Sequence, residues 1–142
     1  MKYTITGACV SNIGRVRDQN ENNFFFNQNI LDENNTGIDD ILDCTFMNDD
    51  NFVFAVFDGM GGEEKGERAS FLGVSNLKEY QKNHSFIDWN QLVQQANQKV
   101  CSEMTSHKRM GSTMAAVQFQ KNQVSISNLG DSKIYLLSPS SF

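Results

Sequence analysis

Asp58 stands at the end of Asn51-Phe52-Val53-Phe54-Ala55-Val56-Phe57, a run of aromatic and β-branched residues that reads as a strand buried on both faces. A strand that stops at Asp-Gly delivers a carboxylate to the rim of a sheet at a fixed position. Gly59 lets the backbone turn closely and leaves its carbonyl free to face a ligand. A carboxylate and a carbonyl oxygen are donors for a hard cation such as Mg²⁺ or Mn²⁺. The plainer alternative is a strand-to-helix turn capped by Asp58, since Asp and Gly are ordinary turn residues. Residues 14–22 (GRVRDQNEN) are a second candidate. The planar fork of Arg15 or Arg17 suits a bidentate hold on phosphate, and Glu21 offers another acidic group to a metal. A polar surface loop accounts for the same residues. The third candidate is Asp131 in Asn128-Leu129-Gly130-Asp131-Ser132, which also reads as a tight turn.

Other chemistries fit less well. Gly59, Gly61, Gly62 and Gly66 raise a nucleotide-binding loop, but Glu64 replaces the third glycine of GxGxxG. Glu67-Arg68 replaces the Lys-Ser/Thr of the Walker spacing. Ser112 lies in no GxSxG elbow. His84 and His107 have no partner pattern and read as surface residues. Cys9, Cys44 and Cys101 are widely spaced, which suggests neither zinc nor a redox pair, and Cys101 reads as a packed thiol.

The elements that must position these residues follow from periodicity. Strands are expected at 3–10, from about 22, at 51–57, 110–120, 124–128 and 133–137. Lys121-Asn122 makes a two-residue hairpin connection. Helices are expected over 67–81, with Ala69, Leu72 and Asn76 on one stripe, and over 88–106, with Asp88 as N-cap and Leu92, Ala96, Val100 and Met104 recurring every four residues. Residues 27–51 are rich in Asn and Asp and read as a loop, part of it a ragged hairpin. Strands, then two helices, then strands mean α+β with antiparallel sheets.

The 142 residues suit one domain, and 11% aromatic content argues against disorder. A net charge of −5 argues against a nucleic-acid partner, and His107-Lys108-Arg109 is too small to be a basic patch. No apolar run is long enough to span a membrane, and the N-terminus lacks the apolar region of a signal peptide. A reduced, cytoplasmic setting is the default expectation.

Together GRVRDQNEN, FAVFDGMGG, MGSTMAAV and NLGDSKIYLL resemble, in order and approximate spacing, the PPM-type (type 2C) metal-dependent Ser/Thr protein phosphatases of bacterial kind. The resemblance covers nearly the whole chain and looks like the N-terminal half of the family domain. It implies a partial four-layer αββα sandwich of two antiparallel sheets flanked by helices. Two Mn²⁺ or Mg²⁺ ions would be expected between the sheets of a complete domain, bridged by Asp58, with the Gly59 carbonyl on one of them. Glu21 would act through water, Arg17 would hold the substrate phosphate, and Asp131 would contribute to a third, weaker metal site. The substrate implied is a phosphorylated protein, hydrolysed by a water activated between two cations roughly 4 Å apart. Met60 replaces the histidine of animal members, so water must protonate the leaving oxygen.

Two departures count. Asn22 stands where the family has Asp, so metal affinity should fall. The family's later SDG and DN carboxylates have no counterpart here, so residues 1–142 are expected to be a truncated domain unable to close the binuclear site alone. A half sandwich should leave sheet edges open, favouring self-association. These departures keep a second reading in play, a non-catalytic phosphatase-like binding or regulatory module.

Overall fold

The computed structural model describes residues 3–47, 51–60, 65–107 and 109–138. Its strands are β1 (Thr4–Cys9), β2 (Asn22–Phe26), β3 (Leu42–Met47), β4 (Asn51–Met60), β5 (Gly111–Ser112), β6 (Met114–Gln120) and β7 (Gln123–Leu129); its helices are α1 (Gly66–Asn83) and α2 (Trp89–Glu103). All described pairings are antiparallel. One sheet has the order β2-β4-β6-β7, with β5 also on β4; β1 and β3 form a second sheet.

Strand alternation sorts β4 into two apolar faces. Val53, Ala55 and Phe57 are buried in one cluster with Val74, Leu77 and Tyr80 of α1 and Leu92 of α2. Phe52 and Phe54 face the small sheet. Phe46 of β3 stacks on Phe52 at 3.7 Å between ring centroids, and Phe54 meets Phe26 at 5.1 Å. Aromatic pairs of this kind contribute about 1 kcal/mol each beyond their burial. Helices, large sheet and small sheet therefore stack as layers, the α+β arrangement expected.

Several local expectations change. β4 does not stop at Asp58 but continues to Met60, because Gly111 and Ser112 supply a ladder partner for Met60 and Gly59. Part of the 27–51 loop is β3, which pairs with the distant β1 rather than with a neighbour. The second helix ends at Glu103 rather than 106. Residues 133–137 form no strand. Leu136 is 88% exposed, and no described strand lies alongside to supply backbone partners. Asp88 does cap α2, accepting from the Asn90 and Gln91 amides, and β6 and β7 do join through Lys121-Asn122. Gly61, Gly62, Glu63 and Glu64, on which the nucleotide-loop reading turned, lie outside the described residues, as does Lys108.

Cys101 is exposed, not packed, because it lies on the outer side of α2 from the buried Val100. Cys9 is half-buried, and burial pushes its thiol up to about 11. Only the thiolate is nucleophilic. At pH 8 a maleimide should therefore modify Cys101 well before Cys9, whose labelling should accelerate as the pH approaches 11. Peptide mass mapping after timed quenching checks the order; equal rates at pH 8 would contradict it.

Candidate active site

Register brings the first two motifs together. Asn22 of β2 pairs directly with Asp58 of β4, so both side chains leave the same face at one end of the sheet. With Ser132, Asn12 and Ser11 they line a cavity of about 280 Å³. Asp58 is exposed to it, as a residue that must meet a ligand requires.

Behind this edge the backbone is tightly fitted. The Gly59 amide donates to the Glu21 carbonyl at 3.1 Å. A Cβ on Gly59 would lie 2.1 Å from the Gly66 carbonyl oxygen and 2.5 Å from that of Glu21. Only glycine allows β2, β4 and the start of α1 to meet here. The space above Gly66 is a cradle of its own: a Cβ there would sit 3.1 Å from both the Glu21 carboxyl carbon and the Gly59 carbonyl oxygen. Those two oxygen donors thus converge on one spot. Arg17 reaches Glu21 at 3.2 Å, with its side chain 63% exposed against 16% for Glu21. Its outer face is open to a ligand.

The third and fourth motifs join through Thr113, which is buried. Its amide donates to the Asp58 carbonyl at 2.9 Å, and its hydroxyl accepts from the Asp58 amide at 3.2 Å. The same hydroxyl also bonds to the Ser132 hydroxyl. Asp131 is therefore held one residue from the cavity wall, and it is exposed. Sequence reasoning gave Thr113 no role; its contacts are far apart in the chain and leave no spacing to read.

The Asn-rich connector also has a task. Asn20 is buried, donating to the Ser11 hydroxyl at 2.9 Å and to the Asn35 side chain at 3.0 Å while accepting from the Asn22 amide. Ile13 and Ile38 add backbone bonds to Thr36 and Ser11. Both legs of the arginine loop are thereby fixed to residues 35–38. Arg68 ties the same connector to the helices, pairing with Glu33 and Glu103 at 2.6 Å each. The repeated amides of residues 20–35 were the available signal, and they read as mere polarity.

The donors suit a hard cation in kind: the Glu21 and Asp58 carboxylates, the Gly59 carbonyl and the Asn22 amide. They are few. Among the described residues no three His, Cys, Asp or Glu side chains gather closely enough to hold a metal ion.

An arginine loop, an Asp-Gly strand end and a Gly-Asp turn gathered at one edge of a layered antiparallel fold place the chain in a family. Residues 8–141 match protein phosphatase 2C, and the chain belongs to that family. The serine/threonine phosphatase stp of Listeria welshimeri is 35% identical over 105 residues, a match covering 65% of this chain and 41% of that protein. The chain thus spans about two fifths of the length of such relatives. The crystal structure of the Mycobacterium tuberculosis serine/threonine phosphatase PstP/Ppp shares the fold, with a TM-score of 0.61 and 21% identity over 90% of this chain and 47% of that one. The catalytic domain of PstP in complex with 2 manganese ions superposes with a TM-score of 0.55 and 21% identity, over 92% of this chain and 50% of that one. Among the described residues no helix is long and apolar enough to cross a membrane.

Proposed function

We propose that the chain carries one wall of a metal-dependent phosphoprotein phosphatase centre acting on phosphoserine or phosphothreonine. The observation that carries this reading is the cross-strand pairing of Asn22 with Asp58 above the Glu21, Gly59 and Gly66 contact. It sets the arginine loop and the Asp-Gly strand end side by side.

Asp58, Glu21 and the Gly59 carbonyl would hold divalent cations, Mn²⁺ or Mg²⁺; Asp131 would hold a further one more weakly. Such ions supply Lewis-acid charge and an acidified water when bound. Arg17 would orient the phosphate, its guanidinium steered by Glu21 and its outer side open to solvent. Asn22 can hydrogen-bond a water but brings no charge, so affinity for the cation is lower than with Asp at that position. The remaining donors would come from outside the described residues. We treat residues 1–142 as part of a single domain of this kind, active on cytoplasmic phosphoproteins in signalling.

The test is phosphate release from a phosphothreonine peptide in Mn²⁺. EDTA-sensitive release is expected when a segment carrying the remaining donors completes the site, and no release from residues 1–142 alone. Release that survives EDTA would overturn the metal-dependent reading. The second reading, a binding module, is favoured by the sparse donor set. It would be supported by peptide binding without release that disappears in Arg17→Ala.

Self-association belongs to the same proposal. Among the described residues β7 is the last strand of its sheet; it carries no charged residue and exposes Val124 and Ile126 by 57% and 52%. An uncharged, unpaired edge invites pairing with another chain. Light scattering should report a dimer or larger species, and Ile126→Lys should shift it toward monomer. A monomeric parent chain would contradict this.

A further inference from the structure

The apolar interior of the helical layer comes in two pieces. Phe57, Leu92 and Met114 belong to the large cluster, whereas Ala69, Val100 and Met110 form a separate small one. Between them lies a cavity of about 300 Å³ walled by members of both, with Ala96 of α2, Met104 just beyond its end and Met60 of β4 completing it. The gap has a visible origin. α2 runs 15 residues yet buries only Leu92 and Val100, and the small Ala96 stands between them where a larger side chain would reach the sheet.

The lining says what could fill the space. Most of the polar groups at the wall already have partners. The Ser112 hydroxyl donates to the Thr113 carbonyl, the Thr113 hydroxyl serves Asp58 and Ser132, and Asn97 accepts from Cys101. Among the described residues no buried side-chain nitrogen or oxygen lacks a partner. The wall is mainly apolar, and apolar cavities as small as about 150 Å³ take up benzene. Four methionines (Met60, Met104, Met110 and Met114) give the wall polarisable, adaptable surfaces suited to a ring. Met60 is 53% exposed and marks a way in.

We propose that this cavity is a binding site for a small apolar molecule of one or two aromatic rings, which joins the two clusters into one core. The site is separate from the carboxylate edge and does not rest on the phosphatase reading. It nevertheless touches that edge, since Phe57 and Thr113 are cavity walls that flank or bond Asp58.

The probe is toluene, read by thermal unfolding of the whole chain and by chemical-shift changes at methionine methyls. At about ten times its dissociation constant, toluene should raise the melting temperature by about 5 °C. Methyl signals of Met104, Met110 and Met114 should move. Ala96→Phe fills the gap, so it should raise the melting temperature without ligand and abolish the toluene response. Ala96→Leu, a smaller filling, should reduce the response and guards against a misfolded Phe variant. No toluene response in the parent chain would overturn the proposal. So would an undiminished response in Ala96→Leu.

Discussion

Gly59→Ala should destabilise the fold by about 3 kcal/mol and lower the melting temperature by about 10 °C. The reason is geometric. The new methyl would meet two backbone oxygens, those of Gly66 and Glu21, at 2.1 and 2.5 Å, and neither belongs to a flexible side chain. Relief requires β2 and the start of α1 to move away from β4, which loosens Asn22 from Asp58 as well. Gly14 supplies the control. It has φ of 80°, but a methyl added there would meet nothing within 4 Å, so Gly14→Ala faces only the backbone preference of about 1 kcal/mol. Thermal unfolding of the two variants side by side checks the contrast; similar losses would contradict the fitted contact at Gly59.

With the remaining donors supplied, Asp58→Asn should lower Mn²⁺-dependent phosphate release at least about 100-fold while leaving the melting temperature within about 1 °C of the parent. A cation-organised centre that loses a carboxylate donor loses charge stabilisation where charge develops, and effects of that kind run to about 10²–10³. The fold should not notice. Asp58 is exposed, and its structural bonds are made by its backbone, through Thr113 and the β2 ladder. A parallel loss of stability would assign Asp58 the turn-forming part instead.

The residues that were legible in the chain are those whose role is local. The continuous apolar run from Asn51 to Phe57 announced a strand, the stripe of Ala69, Leu72 and Asn76 announced α1, and Asp88 announced its own cap. Arg17, Glu21, Asp58, Gly59 and Asp131 are candidates through the resemblance of their four motifs to the phosphatase family, not through spacing alone. Less legible were the residues whose partners are distant. β3 alternates weakly through Leu42, Cys44 and Phe46, and its pairing with β1 is set by the stacking of Phe46 on Phe52. Asn20 and Asn35 look like loop polarity until their amides meet. Thr113 looked like the start of a strand until its hydroxyl bonded both Asp58 and Ser132. Residues 133–137 erred the other way. Their composition favours a strand, but a strand needs a neighbour, and Tyr135 and Leu136 lie exposed instead.

The most direct test is calorimetric titration of the chain with Mn²⁺, set beside Asp58→Asn and Asn22→Asp. If the paired edge of β2 and β4 is a cation site, the parent chain binds Mn²⁺. Asp58→Asn then weakens binding at least about tenfold, and Asn22→Asp strengthens it by restoring a second carboxylate opposite the first. Mn²⁺ binding that ignores both substitutions, or no binding by any of the three, would contradict a metal centre at this edge.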